Sequence, residues 1–302
     1  MKKIIVLLLL FMAVMPMQTA GATQTDTVYS DTSLTVYGPL DEYKPLNDPA
    51  WGDPVSAVLT WVHPRWPTLP PANWISNTYL IEGDLTVSTW RLFHKTVNLC
   101  ENAYDISGTI TVDSDNAEEA YVNGALVGSN GDVFTVSSYD YQASGDTLVF
   151  DFIVWNYPGM NDPYANPTGL LFSASINYSC PLEVPIDIKP GSFPSCFNND
   201  DKGLIPVAIF GSPSFNVHDV DVATVRLESL PVATKPNGNY MAAYEDWDSD
   251  GNMDLVVKFV DEEGVFDPSD EYATLTGNLM DGTPFFGVGD ICIRGKMQPG
   301  PR

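Results

Sequence analysis

The stretch TLVFDFIVWNY, residues 147–157, decides the fold class because it is apolar on both faces of an extended chain. Successive side chains of a β-strand point to opposite faces. One face carries four apolar residues and the other carries three: Leu148, Phe150, Phe152 and Val154 on the first, and Val149, Ile153 and Trp155 on the second. A strand that is apolar on both faces is covered on both sides. Residues 147–157 therefore predict a central strand.

Short β-rich runs separated by Gly, Pro, Asn and Asp surround this strand, and no long amphipathic helix interrupts them. Asn123-Gly124 lies between two apolar arms, and this pair accepts the positive φ angles of a tight hairpin. Asp281-Gly282 forms a similar pair later in the chain. Many short strands with regular turn signals are typical of sandwiches and barrels. The pattern predicts an all-β protein.

The ends and the charge of the chain indicate a secreted protein that is neither nucleic-acid-binding nor inserted in a membrane. Residues 1–22 combine two lysines, a short apolar run and a small-residue site, which is typical of a cleaved signal peptide. With 39 acidic and 14 basic residues, the net charge is −25. Such a surface repels phosphate backbones and anionic membranes. Metal cations or a saline medium fit it better.

The length of the chain favours two domains. Residues 23–56 are polar and aperiodic, and we interpret them as a leader segment. A proline-flanked joint, PLEVP at 181–185, separates a domain over 57–182 from one over 183–302. Four cysteines allow three disulfide connectivities, and free buried thiols are an alternative. Because one pair lies on each side of the joint, we expect two intradomain bridges: Cys100–Cys180 and Cys196–Cys292.

An acidic segment, DWDSDGNMD at 246–254, has the spacing of a calcium loop. Its oxygen-bearing residues lie at loop positions 1, 3, 5, 7 and 9: Asp246, Asp248, Asp250, Asn252 and Asp254. Calcium takes six to eight oxygen ligands, and Gly251 permits the sharp turn that brings them together. An EF-hand would place Glu at position 12, where this chain has Val257 at the start of a β pattern. The loop resembles the calcium loops of integrin-type propellers and other β-proteins.

Calcium is the expected cofactor, with a structural role. Magnesium retains its waters and uses few protein ligands, and zinc prefers His and Cys, which are missing from this segment. The sequence also holds a second acidic stretch, DSDNAEE at 113–119. A second cation site there is the alternative to a polar bend whose side chains bond to the local backbone, and we favour the bend.

Aromatic residues are concentrated in the first half of the chain, where six of the seven tryptophans lie. Trp90 and Trp155 fall in strand patterns, which favours core positions. The loop at 155–169 is the better candidate for binding a sugar, and its candidate ligand-binding residues are Tyr157, Asn161, Tyr164 and Asn166. No nucleophile motif is present, and no carboxylate pair is singled out for glycoside hydrolysis.

Two family resemblances extend this interpretation. Residues 57–180 resemble galactose-binding-like jelly rolls in three segments: STWRLFHKTVNLC, ISGTITVDSDNAEEAYVNGALVG and NPTGLLFSASINY. Residues 184–302 resemble an accessory module of exported microbial surface proteins, through IDIKPGS, KGLIPVAIFGS, DVDVATVRL, the acidic loop and ATLTGNLMDGTPFFGVGDICI. The first resemblance implies a jelly-roll sandwich that binds carbohydrates or surfaces, and the second implies a module without established activity. Cys196 and Cys292 depart from the second pattern, which supports a bridge within that domain.

The sequence thus predicts two β-sandwich domains, an N-terminal jelly roll and a C-terminal calcium-stabilised sandwich. We expect a secreted, non-enzymatic adhesion protein whose partner is a carbohydrate or another component of a cell surface or matrix. The alternative is a structural subunit of an extracellular matrix, sheath or filament that self-assembles through calcium bridges. A glycoside hydrolase is the less favoured third interpretation, because it would need a pocket with convergent acids.

Overall fold

The computed structural model describes residues 23–81, 85–131, 134–198 and 203–294. The predicted signal peptide lies outside these residues. The described chain divides into two compact units, one over Thr23–Pro181 and a second that begins at Leu182. Within the described residues, no helix has both the length and the apolar character that a membrane span requires. The protein is all-β, as the alternation of residues 147–157 predicted.

Among its described residues, the first unit consists of twelve strands and one short 3-10 turn, Pro49–Trp51. The strands are β1 (Gln24–Tyr29), β2 (Thr35–Leu40), β3 (Val55–Ser56), β4 (Val58–Leu59), β5 (Ile75–Ser76), β6 (Thr89–Asn98), β7 (Tyr104–Asp115), β8 (Ala117–Val122), β9 (Ala125–Asn130), β10 (Ser137–Ala143), β11 (Thr147–Asn156) and β12 (Gly169–Ser179). One sheet has the order β10-β7-β12-β5-β4, with β1 also paired to β12. The other has the order β3-β2-β6-β11-β8-β9.

The two sheets of the first unit form a sandwich around a shared apolar core. Phe152 of β11 lies 4.5 Å, between ring centroids, from Phe172 of β12 in the opposite sheet. Tyr141 of β10 contacts Phe150 of β11 edge-on at 5.7 Å. β11 is central in its sheet, between β6 and β8, which confirms the prediction for residues 147–157. Truncation of a buried phenylalanine such as Phe152 to alanine should cost about 3–5 kcal/mol.

Residues 23–56 belong to the first unit and do not form a separate leader segment. β1 pairs with β12 along its whole length, and β2 pairs with β6. The loop after β2 also covers the outer face of the second sheet, where Trp51 packs with Leu92 and Ile153. These contacts join segments that are far apart in sequence, and so they leave no periodic signal within residues 23–56 themselves.

In the part of the second unit that the structure describes, there are eleven strands and a 3-10 turn at Val217–Asp219. The strands are β13 (Leu182–Glu183), β14 (Ile186–Ile188), β15 (Cys196–Asn198), β16 (Leu204–Ile209), β17 (Val220–Leu227), β18 (Leu230–Pro231), β19 (Ala242–Glu245), β20 (Asp254–Val260), β21 (Tyr272–Leu279), β22 (Pro284–Asp290) and β23 (Cys292–Arg294). They form sheets of the orders β13-β22-β21-β17-β18 and β14-β16-β20-β19, together with a two-stranded pair, β15-β23. Buried residues from both larger sheets share one core, which includes Phe259 of β20 and Phe285 of β22.

Each unit contains one disulfide, and both predicted pairings are confirmed. Cys100 is bonded to Cys180 in the first unit, with 6.0 Å between their Cα atoms. Cys196 is bonded to Cys292 in the second unit, where the two residues face each other in the parallel pair β15-β23. These bridges account for all four cysteines.

The two hairpin turns are also confirmed. Asn123 and Gly124, which connect β8 and β9, have φ angles of 49° and 78°. Gly282, in the turn between β21 and β22, has a φ of 91°. Positive φ is the region that glycine and asparagine accept most readily. Local turn chemistry thus fixes both hairpins.

Candidate functional site

The acidic segment forms the loop of a β-hairpin in the second unit. β19 ends at Glu245 and β20 begins at Asp254, and these two residues pair across the ladder. Ser249 and Gly251 have φ angles of 64° and 93°, so the chain reverses direction between the two strands. A strand follows the loop, as the alternation after Asp254 predicted.

Three of the five predicted metal ligands lie together. Each of Asp246, Asp248 and Asp254 offers a carboxylate oxygen within 4.8 Å of the oxygens of the other two. Two oxygens bound to one calcium ion at 2.3–2.6 Å lie at most about 5.2 Å apart. The three carboxylates therefore fit around a single calcium ion.

Asp254 anchors this group. Its side chain is fully buried, and its two oxygens accept hydrogen bonds from the backbone N–H groups of Gly211 at 2.9 Å and Trp247 at 2.7 Å. A carboxylate that is held by two N–H donors keeps its orientation, and each oxygen has a further lone pair. Asp246 and Asp248 are exposed above it. Both also accept backbone hydrogen bonds within the loop, Asp248 from Asp250 at 3.1 Å and Asp246 from Gly251 at 3.2 Å. The group thus combines one buried carboxylate with two exposed ones.

Asp250 and Asn252 bond to each other and are not part of this group of three. The Asp250 carboxylate accepts from the Asn252 backbone N–H at 2.7 Å and from the Asn252 side-chain amide at 2.8 Å. These donors stabilise the ionised form and hold the pKa of Asp250 below its usual value. The predicted set of five thus separates into three converging carboxylates and a pair that shapes the turn.

The four residues proposed for sugar binding at 155–169 do not converge on one site. The Asn166 side chain is buried and donates to the carbonyl oxygens of Leu85 at 3.1 Å and Tyr157 at 3.3 Å. Asn161 accepts from the Leu85 backbone N–H at 3.3 Å. Both amides bond to Leu85 and help to hold the loop in place; Asn166 is the buried one, and buried amide groups must be hydrogen-bonded, whereas Asn161 is exposed. That these two residues also contact a ligand stays a prediction.

The two tyrosines of that loop lie in different surroundings. The Tyr164 ring packs edge-on against Trp61, with centroids 5.4 Å apart. Tyr157 instead packs edge-on against Trp155 at 4.6 Å. Of the four predicted residues, Tyr157 alone borders the groove around Trp90 and Trp155.

An aromatic groove on the outer face of the β6-β11-β8 sheet is the better candidate for a binding site. Trp90 and Trp155, directly opposite each other on β6 and β11, stack at 5.4 Å with 15° between their planes. Trp155 is 38% exposed, so its ring is open to a ligand. The groove has a volume of about 230 Å³. The sequence placed both tryptophans in strands correctly, but the core position that it favoured was wrong: both lie on the outer face, where Trp90 is half-buried and Trp155 is exposed.

Polar groups surround the rings of this groove. The Glu119 carboxylate accepts hydrogen bonds from the hydroxyls of Tyr43 at 3.1 Å and Tyr121 at 2.7 Å. The pKa of both tyrosine hydroxyls is raised, chiefly by burial, so they remain protonated hydrogen-bond donors. Asn130 and Gly131 border the opposite side. Stacked rings beside fixed polar groups suit a ligand with an apolar face and a hydroxylated edge.

The second acidic stretch, at 113–119, contains one local bond of the kind expected for a polar bend, from the Ser114 backbone N–H to Asp113 at 3.0 Å. Its other side-chain bonds form a buried network in the first unit. Trp66 donates its indole N–H to Asp115 at 3.0 Å, and the Ser114 hydroxyl donates to Glu118 at 2.5 Å. Asp113 is also buried. Desolvation by burial, followed by smaller effects that include the Asp113 charge, raises the pKa values of Asp115 and Glu118 to about 7 each. These carboxyls do not form one of the converging groups that could hold a metal ion among the described residues.

Glu118 and Glu119 both border the groove but point to opposite faces of β8. Glu118 bonds to Ser114 in the interior of the sandwich, whereas Glu119 bonds to Tyr43 on the outer face. A glycoside hydrolase needs two carboxyl groups that flank one bond, roughly 5–9.5 Å apart on either side of it. Adjacent strand residues that diverge in this way do not supply such a pair.

His94 and Asp151 form a cross-strand ion pair elsewhere on the same sheet face. The His94 Nδ1 lies 2.8 Å from the Asp151 carboxylate, and its Nε2 lies 3.1 Å from the Thr96 hydroxyl. The hydrogen bond with Asp151 raises the pKa of His94. His94 is partly exposed on β6.

Neither a protein-family model nor a curated protein matches this chain. Among solved structures, it is similar to a β-glucuronidase from Ruminococcus gnavus in complex with uronic deoxynojirimycin, with a TM-score of 0.32, 11% identity, and coverage of 89% of this chain and 46% of that one. An FMN-binding β-glucuronidase from Faecalibacterium prausnitzii L2-6 gives a TM-score of 0.30 and 12% identity, over 89% of this chain and 40% of that one. The chain spans less than half the length of these enzymes, and similarities of this size carry no argument about function.

Proposed function

We propose that this chain is an exported, non-enzymatic carbohydrate-binding protein. Its first unit holds the sugar in the aromatic groove, and its second unit is stabilised by calcium. The observation that carries the proposal is the stacked pair Trp90–Trp155, which leaves ring surface exposed beside Glu119. The apolar face of a sugar ring packs on such a surface, while carboxylate and amide groups accept and donate hydrogen bonds to its hydroxyls.

Export is supported by two features. The residues before Thr23 have the composition of a signal peptide. Each compact unit carries a disulfide, and disulfides persist in oxidising compartments. Both features agree with a protein that works outside the cell, where polysaccharides are accessible to it.

Calcium in this proposal has a structural role. Asp246, Asp248 and Asp254 would hold the ion, and the ion would remove the mutual repulsion of their charges. The loop connects two neighbouring strands, so a bound ion would stabilise the β19-β20 hairpin. Its residues belong to the second unit, whereas those of the aromatic groove belong to the first. Sugar binding should therefore not require calcium.

A glycan array with the full chain tests the proposal. We expect saturable binding of a monomer to at least one glycan, and loss of that signal in Trp155→Ala. Leu126→Ala is the matched control, because Leu126 is 56% exposed in the same unit but does not border the groove. Absence of any saturable glycan signal would refute a carbohydrate-binding function.

The second candidate function is a structural subunit of a matrix, sheath or filament bridged by calcium. It is favoured by the exposure of the Asp246 and Asp248 carboxylates on a strongly acidic protein. Sedimentation of the full chain with calcium, in the absence of any glycan, separates the two candidates. If calcium increases the sedimenting mass of the protein, the result supports the structural subunit. If the protein stays monomeric with and without calcium, the result supports the binding protein.

A further inference from the structure

The second unit contains a groove of about 700 Å³ that neither the calcium loop nor the aromatic groove involves. β14, the segment after it, and the adjoining ends of β21 and β22 form its walls. Ile188 and Ile291, both buried, supply an apolar floor. A cavity of this size and composition is within the range of ligand-binding sites.

The walls of this groove are acidic. Asp187, Glu271 and Asp290 all border it, and none of the described residues that line it is basic. Lys189 directly follows β14, but its ammonium group donates to the Cys196 carbonyl oxygen. Burial raises the pKa of Asp187, and the hydrogen bond from the Gly191 backbone N–H opposes that shift. The charge of the groove thus complements a cation.

The carboxylates of the groove do not converge as those of the acidic loop do. Among the described residues, Asp246, Asp248 and Asp254 are the group whose ligand atoms all lie within 4.8 Å of one another. Asp187, Glu271 and Asp290 do not meet that condition. Carboxylates that do not converge on one point suit a larger cation, with its charge spread over several atoms or carried on an apolar stem, better than a single metal ion.

Two aromatic rings at the rim favour an organic cation. The Phe193 side chain is 97% exposed, and Tyr272, which pairs with Asp290 across the β21-β22 ladder, is 61% exposed. An exposed aromatic face attracts guanidinium and ammonium groups, most strongly when both are removed from water. The apolar stem of an arginine or lysine side chain would also cover part of the Phe193 ring.

The backbone at the groove favours a polypeptide over a free amine. β14 lies at the edge of its sheet and pairs with β16 on one side only. The other edge of a terminal strand offers backbone N–H and C=O groups to an added peptide strand where that edge is accessible. In β14 this applies to the half-buried Ile186 and Asp187, because Ile188 is buried. Ile186, Asp187 and Ile188, which make up β14, all border the groove.

We propose that this groove docks a basic polypeptide segment of a partner protein. An arginine side chain of the segment lies between Phe193 and the carboxylates, and its backbone runs along β14. The site would attach the protein to a basic component of the same surface. This role is independent of sugar binding in the first unit and of calcium in the hairpin loop.

The test is an NMR titration of the full chain with acetyl-Gly-Ser-Arg-Ser-Gly-amide at about 0.15 M salt, where exposed charges are screened over about 8 Å. The same peptide with Gln in place of Arg, and arginine amide alone, are the comparison ligands. We expect the Arg peptide to shift amide signals around Gly191 and Ser192 and to bind about tenfold more tightly than either comparison ligand. Phe193→Ala and Asp290→Asn should each weaken its binding severalfold.

Matched controls separate docking from general attraction to an acidic protein. Glu262→Gln removes one exposed charge outside the groove, and Met280→Ala removes an exposed apolar side chain, 73% exposed, outside it. Both variants should bind the Arg peptide as the wild type does. Equal weakening by Glu262→Gln and Asp290→Asn would overturn the proposal. So would the absence of binding at millimolar peptide, or equal binding of arginine amide, which would exclude a polypeptide ligand.

Discussion

Acidic residues of the two units differ in their surroundings. Because of this difference, pH is expected to change the stability of the two units in opposite directions. In the first unit, Asp115 and Glu118 are buried, and desolvation raises their pKa values to about 7. In the second unit, Asp250, Asp267 and Asp281 are exposed, and nearby donors hold their pKa values low. An acidic composition by itself therefore says little about how each carboxyl behaves. Burial and hydrogen-bond donors decide what each carboxyl does.

The same contrast separates the chemistry of the two units. In the second unit, exposed acids converge around the buried Asp254, an arrangement suited to a metal ion. In the first unit, the buried acids are bonded to Trp66 and Ser114 within the sandwich, and the exposed groove is aromatic. We therefore expect calcium to act on one unit and sugar on the other.

The largest change in stability is expected when the disulfide is removed from one unit at a time. The two bridges join residues 80 and 96 positions apart in sequence. Removal of a native bridge that closes a long loop costs about 2–5 kcal/mol. Cys100→Ser with Cys180→Ser should lower the unfolding transition of the first unit only, and Cys196→Ser with Cys292→Ser that of the second only. Calorimetry of the full chain measures both, and an equal shift of both transitions by one pair would contradict the division into units.

Calcium should stabilise the second unit by RT ln(1+[Ca]/Kd), which is about 2.7 kcal/mol at a hundredfold excess over Kd. Asp248→Ala should remove most of this increment. In chelator, the same change should leave the unit equally stable or slightly more stable, because repulsion from Asp246 and Asp254 falls. Thermal unfolding with calcium and with chelator measures the effect. An unchanged wild-type transition in chelator would refute the calcium site.

Asp250→Ala sharpens this test within the loop itself. Asp250 bonds to Asn252 and is not one of the three converging carboxylates. Its removal should lower stability slightly in calcium and in chelator alike. A calcium increment that falls as much in Asp250→Ala as in Asp248→Ala would show that all five predicted residues act as ligands.

The pH dependence of the first unit should be opposite in sign to ordinary acid denaturation. The usual values for Asp115 and Glu118 are 3.8 and 4.5, and both folded values are about 7. Between about pH 4 and 7 the folded unit therefore holds protons that the unfolded chain has released, and its stability falls as pH rises. We expect its melting temperature to be a few degrees higher at about pH 5.5 than at 7.5.

Glu118→Gln isolates this contribution. Glutamine keeps an oxygen that accepts from Ser114 but cannot ionise. The variant should melt above the wild type at about pH 7.5, and the difference should shrink as pH falls. Glu101→Gln is the matched control, because Glu101 is exposed. A first unit that becomes less stable between about pH 7.5 and 5.5 would contradict the raised pKa values.

The smallest effect is expected from Tyr164→Ala. Tyr164 is 54% exposed and packs against Trp61 outside the aromatic groove. Its loss should change neither the melting temperature nor glycan affinity appreciably. Asn166→Ala, in contrast, removes buried hydrogen bonds to Leu85 and Tyr157 and should cost about 1–3 kcal/mol. Weaker glycan binding by Tyr164→Ala would instead indicate that the binding site includes the 155–169 loop, as the sequence predicted.

Local patterns in the sequence were sufficient for much of the fold. The two-faced alternation of residues 147–157, the turn at Asn123-Gly124 and the one-pair-per-side cysteine distribution each identify a structural feature from neighbouring residues or from simple counting. The acidic loop is similar, because its predicted ligands lie within nine residues. Such features depend little on distant parts of the chain.

The aromatic groove could not be predicted in the same way. It requires Trp90, Trp155 and Glu119 to lie on one face of three paired strands, and Tyr43 to reach that face from a segment that shows no periodicity. Strand alternation places Trp155 on a face but does not reveal whether another layer covers it. The roles of Asn161 and Asn166 were likewise hidden, because their partner, Leu85, is distant in sequence.

The central claim is that the aromatic groove binds sugar without the help of calcium. The direct measurement is titration calorimetry of the full chain with an oligosaccharide identified on the array, in calcium and in chelator. We predict the same affinity in both solutions for the wild type, and an affinity at least about tenfold weaker for Trp155→Ala, a loss of about 1.4 kcal/mol or more. Wild-type affinity in Trp155→Ala would contradict sugar binding in the aromatic groove. Binding abolished by chelator would contradict its independence from calcium.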